Sequence, residues 1–120
     1  MLTHITAYVS INRNNIDMRE RNLKELATIL AALDDSIVLE RLMAELLTQS
    51  EIHALVLRWE LLKMLNDGVP QREISKTLGI SLCKITRGSR ELKKEGSALK
   101  EILNRLDEIK SGEKISRRKQ

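Results

Sequence analysis

Residues 71–90 read Gln71-Arg72-Glu73-Ile74-Ser75-Lys76-Thr77-Leu78-Gly79-Ile80-Ser81-Leu82-Cys83-Lys84-Ile85-Thr86-Arg87-Gly88-Ser89-Arg90. Two short helices that cross steeply need apolar residues on their inner faces and, between them, a turn residue free to take positive φ. Ile74 and Leu78 supply the first inner face, Ile80 plugs the corner, and Ile85 supplies the second, with Gly79 at the turn. The pattern predicts a helix-turn-helix over 71–90. The outward face of its second helix then holds Ser81, Leu82, Cys83, Thr86 and Arg87, short near the N-terminus and basic further on. Such a face suits a major groove about 12 Å wide, with the leading turn, Lys84 included, approaching base edges. Gln71, Arg72, Lys76 and Arg90 lie around the rim, where phosphates would be held.

Helical signals extend to both sides of this stretch. Upstream, Leu23, Leu26, Leu30 and Leu33 recur at three- and four-residue spacing, giving a first helix from about Ile16. Asp34-Asp35-Ser36 breaks it and supplies an N-cap for a second helix, Ile37–Leu47. Thr48-Gln49-Ser50-Glu51 reads as a capping box opening a third helix, which carries Ala54, Leu55, Leu61, Leu62 and Leu65 and stops at Asn66-Asp67-Gly68. Pro70 suits the first turn of the fourth. Downstream, the fifth helix runs to about Glu95, Gly96-Ser97 interrupts it, and a sixth spans Ala98 to about Ile109. The reading is an all-α, six-helix domain over 16–109. It is preceded by an arm at 1–15, expected to be flexible, and followed by a basic tail at 110–120, expected to be disordered. In the arm, Ile5, Ala7, Val9 and Ile11 alternate with polar residues as in a short strand, though no partner strand is visible.

Composition fits that class and excludes others. Of 120 residues 42% are apolar and 32% charged, with no Phe, one Trp and one Tyr, so any core is aliphatic, as in helical assemblies rather than sandwiches. A core this small is marginal alone, which favours a dimer. Net charge is +4, pointing towards an acidic partner. A single Cys83, no membrane-length apolar run and no signal-peptide pattern at Met1–Ser10 place the chain in the cytoplasm. No glycine-rich phosphate loop, zinc spacing or nucleophile elbow is present, so neither an enzyme, a metal site nor a cofactor is expected. Two aromatic residues are too few for stacking on single strands.

Within this frame Gln71-Arg72-Glu73-Ile74, Leu78-Gly79, Ile85-Thr86-Arg87-Gly88-Ser89 and Leu92-Lys93 resemble the tryptophan repressor family. Fainter likeness runs through Leu47-Thr48, Ala54-Leu55, Arg58 and Gly68, covering roughly residues 16 to 106, with the turn before Gln71 one residue shorter. The resemblance implies an interwoven homodimer that binds operator DNA as a transcriptional repressor of tryptophan biosynthesis or transport genes, with L-tryptophan as corepressor. It implies that Arg58 and Arg87 sandwich the indole, a role a planar guanidinium can fill while also forking a carboxylate. Thr48 would assist at the carboxylate, and backbone carbonyls near Glu45, Leu47 and Thr48, at the end of the second helix, would receive the ammonium. Gly88 leaves the ring unobstructed, or lets one helix pack closely on another. Lys84 and Glu91 stand where the family commonly has Thr and Ser, which leaves tryptophan and another indole both open as ligand. They are seven residues apart, too far for direct pairing; Glu91 is a candidate partner for the ligand ammonium.

One other function class competes. Leu92, Leu99 and Leu106 are seven apart, as in a zipper following a helix-turn-helix, which would make the chain a ligand-independent, transposition-associated or replication-type DNA binder dimerising through these leucines. Ile102, Leu103 and Ile109 widen the row into an ordinary core stripe. His53 and Cys83 lack the neighbours that catalysis needs, and Trp59 is expected in the core.

Overall fold

The computed structural model describes residues 2–112, with side chains described from Asp17. The chain divides into two compact units, at Thr48 and Gln49.

The first unit is a helical pair. Helix α1 runs Leu2–Ala32 and α2 runs Ser36–Leu46. The helix therefore starts at Leu2 and not near Ile16, and the alternation at Ile5–Ile11 gives no strand. Without a second strand to take its N–H and C=O groups, that backbone satisfies itself within a helix. The expected cap is present. Asp35 is extended (φ −106°, ψ 109°), and its carboxylate accepts from the Ile37 amide at 2.9 Å, closing the first turn of α2. Neither helix buries its apolar residues fully among the described residues: Leu23, Ile29, Val38 and Leu46 are exposed, and Ile37 is 68% exposed.

The second unit contains the core. Helices α3 (Gln49–Asn66), α4 (Gln71–Leu78), α5 (Leu82–Lys93), α6 (Ala98–Asn104) and α7 (Leu106–Lys110) follow in order. Helix α3 ends in a Schellman arrangement, the Gly68 amide donating to Leu65 O and the Val69 amide to Met64 O, both at 3.0 Å. Pro70 is the N-cap of α4 rather than part of its first turn, with ψ 143° and its carbonyl accepting from Glu73 and Ile74. Helix α5 stops at Lys93, two residues before Glu95. The expected single helix from Ala98 breaks at Arg105 (φ −109°, ψ 15°), so the described residues hold seven helices rather than six. There the Arg105 amide turns to Ile102 O, three residues back, while its Nε bonds Glu108 Oε2 at 2.9 Å in the first turn of α7. The tail at 113–120 lies outside the described residues.

Leu61, Leu62, Ile74, Ile80, Ile85, Leu92 and Leu103 form the buried cluster. Ile74 and Ile85 are 0% exposed, so α4 and α5 are joined through the two residues that the pattern aimed at each other. Leu78 and Leu99 pack partly against the cluster, as does Trp59, which is half-buried rather than central.

Candidate functional site

Two groups of residues converge on α5, one on each side of it. The outward group depends on how the α4–α5 turn is held. Gly79 takes φ 65°, ψ 34°, the left-handed region in which a side chain is strained, and its amide caps α4 on Ser75 O. The Ser75 hydroxyl then donates to Ile80 O at 2.7 Å, a latch across the turn that the apolar pattern gives no sign of. Ser81 caps α5, its Oγ accepting from the Lys84 amide at 3.4 Å. Beyond this cap Leu82 is 47% exposed, and Cys83 and Lys84 are exposed.

Thr86 and Gln71, both assigned to the DNA-facing surface, are half-buried and bonded to each other, the Thr86 hydroxyl donating to Gln71 Oε1 at 3.2 Å. That bond ties the middle of α5 to the start of α4. Arg72, Lys76 and Arg90 are exposed, and none is held in an ion pair among the described residues.

The inward group lines an open pocket of about 440 Å³ between α3 and α5, a size common among small-molecule sites. Arg58 comes from α3, and Lys84, Arg87, Gly88 and Glu91 from α5, over an apolar surface that includes Leu57, Leu61, Leu62, Ile80 and Leu99. Arg58 and Arg87, 29 positions apart in the chain, thus share one cavity. Lys84, assigned to DNA, also lines it.

Gly88 is what lets the two helices meet. A Cβ at this position would stand 2.9 Å from Leu61 Cδ1 and 3.3 Å from both Leu62 Cδ2 and Leu65 Cδ1. Overpacking of this kind usually costs about 1–3 kcal/mol. Gly88→Val is expected to lower the unfolding free energy by about 1 kcal/mol, the crowding of Leu61, Leu62 and Leu65 being offset in part by the helix propensity gained over glycine, seen as a lower urea midpoint; an unchanged or higher midpoint would mean that these leucine side chains yield without cost.

Glu91 is engaged one turn further along α5, its Oε2 lying 2.5 Å from Lys94 Nζ. The hydrogen bond from Lys94 holds the Glu91 carboxyl below the ordinary carboxylate range, helped by the charges of Lys94 and Arg87 and opposed by desolvation. It is ionised at neutral pH, and the pairing is lost only as pH falls through that depressed value. Lys94, three residues on, is the partner that the sequence reading left out.

Glu45, Leu47 and Thr48 belong to the first unit. Glu45 lies on α2, and Leu47 is its C-cap, donating to Met43 O at 3.0 Å. Among the described residues no group of three or more His, Cys, Asp or Glu is arranged to hold a metal ion, and no helix is long and apolar enough to cross a membrane.

Residues 21–107 match the family model described as Trp repressor protein. The chain is similar to a Trp operon repressor homolog of Vibrio parahaemolyticus, with 36% identity over 87 residues, 72% of this chain and 84% of the relative. A Vibrio vulnificus protein of the same description is 41% identical over 68 residues (56% of this chain, 67% of the relative), and one from Xylella fastidiosa 35% identical over 75 residues (62% and 82%). No solved structure gives a significant match.

Proposed function

The chain belongs to the Trp repressor family, a regulatory DNA-binding family and not an enzymatic one, and on that premise we propose that it is a sequence-specific transcriptional repressor activated by L-tryptophan, acting on genes of tryptophan biosynthesis or transport. The observation that carries the reading is that one helix serves two surfaces. The leading turn of α5 is exposed while its Arg87 and Gly88 line a pocket of ligand size. A ligand seated there lies against the helix that meets DNA, so its binding biases the pose of that helix.

In this reading a helix-turn-helix, α4 to α5, enters the major groove with Ser81, Leu82, Cys83 and Lys84 foremost. Arg72, Lys76 and Arg90 hold phosphates, and the Thr86–Gln71 bond steadies the pair. Arg58 and Arg87 sandwich the indole and fork its carboxylate. For Thr48 and the carbonyls near Glu45 and Leu47, a part in receiving the remainder of the amino acid is what the family resemblance implies. The ligand acts only through its greater affinity for the DNA-competent state, and couplings of about 1–3 kcal/mol are usual for such switches. The exposed apolar residues of α1 and α2, with Leu55 and Val56 on α3, support an interwoven homodimer, because monomers seldom leave so many large side chains uncovered. Half-sites about one helical turn apart follow from the general geometry of such dimers, of which the Trp repressor is a standard case.

The competing zipper needs Leu92, Leu99 and Leu106 to be available to a second chain. Leu92 is buried and Leu99 packs on the core of its own unit.

Gel shift against duplexes selected from random sequence, with and without L-tryptophan at two salt concentrations, tests the proposal. A shift that requires L-tryptophan is expected. Two copies of the three rim cations give a log–log salt slope of about −5. A shift indifferent to L-tryptophan would contradict the corepressor role, and no shift under any condition would contradict DNA binding.

A further inference from the structure

Helix α4 contributes nothing to the pocket, whose lining comes from α3, α5, α6 and the turn residue Ile80. Yet Arg72 and Lys76, two of the cations assigned to phosphates, stand exposed on α4. A ligand therefore reaches them only through whatever ties α4 to α5 and to the turn. Ile74 and Ile85 meet in the core, and apolar contact of that kind has no direction. The directional ties are hydrogen bonds. At the open end of the pair the Thr86 hydroxyl donates to Gln71 Oε1 at 3.2 Å. At the closed end Ser75 holds both residues that follow α4. Its carbonyl accepts from the Gly79 amide at 2.9 Å, and its hydroxyl donates to the Ile80 carbonyl at 2.7 Å. Gln71 and Ser75 are four apart, on one face of α4, so the pair is fastened at both ends.

We infer that Ser75 is a positioning residue for operator binding, its hydroxyl carrying the pose of Ile80, which lines the pocket, across to α4 and its cations. The inference rests on the reading of the chain as a ligand-activated DNA binder. Ile80 belongs to both structures, lining the pocket while its carbonyl is held by Ser75. A trans peptide is planar, with its C=O and N–H pointing in opposite directions. Holding the Ile80 carbonyl towards α4 thus turns the Ser81 amide away from α4, at the residue that caps α5. Gly79 adds little restraint of its own, since a Cβ there would meet nothing within 4 Å and glycine is the most permissive residue. Without the hydroxyl the helices stay joined, but the turn admits several crossing poses. DNA must then select one of them, which lowers its affinity.

Ser75→Ala and Ser75→Thr in the full chain test this by gel shift on duplexes selected from random sequence, by L-tryptophan calorimetry without DNA, and by urea unfolding. Both variants are expected to fold, since Ser75 is only half-buried and lies outside the buried cluster. With L-tryptophan saturating, Ser75→Ala is expected to bind the duplex about fivefold more weakly, the worth of one hydrogen bond between neutral groups. Its log–log salt slope is expected to be unchanged, because no cation is removed. L-tryptophan affinity of the free chain is expected to stay within about twofold. Ser75→Thr keeps the hydroxyl and is expected to retain duplex affinity. A merely structural serine would lower the urea midpoint and leave duplex affinity of the folded chain intact, and that result would overturn the inference. So would a Ser75→Thr as weak as Ser75→Ala, or a parallel fall in L-tryptophan affinity. Each of these leaves the repressor reading standing. A wild-type chain that binds no duplex, or binds it regardless of L-tryptophan, would overturn both.

Discussion

Replacing Arg87 with Ala is expected to abolish the L-tryptophan response and to weaken ligand binding about a hundredfold. The proposed role gives Arg87 two interactions at once, a face stacked on the indole and a fork on the carboxylate. Stacking of a cation on an aromatic face is worth about 0.5–2 kcal/mol, and a hydrogen bond to a charged group about 1.5–3. Their loss together is of the order that a hundredfold change requires. Arg87 is exposed and outside the buried cluster, so the variant is expected to fold. Arg87→Lys retains the charge without the fork and is expected to fall between the two. Calorimetry and gel shift read the outcome. An unchanged titration would place the ligand elsewhere.

The largest stability effect is expected where α4 meets α5. Ile85 is 0% exposed and packs in one cluster with Ile74, also 0% exposed. Ile85→Ala deletes three buried carbons where neighbours on α3 and α4 leave little room to collapse, and such changes cost about 2–5 kcal/mol. Against a typical domain stability of about 5–15 kcal/mol this is a large fraction. Urea unfolding is expected to show a loss of about 3–4 kcal/mol, with ligand and DNA affinity reduced as the folded fraction falls. A loss below about 1 kcal/mol would mean that the pair is held by something other than this contact.

The same residues explain why the pair was legible in the sequence. Ile74, Leu78, Ile80 and Ile85 across Gly79 give a pattern that few arrangements satisfy, and Gly79 takes the left-handed conformation that the turn demands. The cap at Asp35 was legible for a similar reason, since a side-chain oxygen before an apolar run satisfies an otherwise orphaned amide, whereas the caps at Ser81 and Ser97 emerge only in the structure. The start of α1 was not, because period-two alternation is a signal for a strand only where a neighbour can accept its hydrogen bonds. Nor was the break at Arg105, which has neither Gly nor Pro and arises from an amide bonding three residues back.

The site was partly legible. A glycine inside a helix was the local signal for Gly88, and the close approach of α3 that it permits brings Arg58 and Arg87 to one pocket. The sequence offers Gln71 and Thr86 as two separate contacts, whereas the structure bonds them to each other. The Ser75 latch and the Lys94 partner of Glu91 depend on side-chain directions that spacing alone does not specify. Glu45, Leu47 and Thr48 enter through the family resemblance, and their role stays with the proposed function.

Cys83, the lone cysteine of the chain, gives the most direct test of the central claim, that α5 presents its leading turn to a duplex. It is a free thiol, exposed one residue into that helix. The rate of its alkylation by a small thiol reagent should be followed with a selected duplex, with and without L-tryptophan. The account predicts strong protection only when both are present. An alkylation rate unchanged while the duplex is demonstrably bound would contradict it.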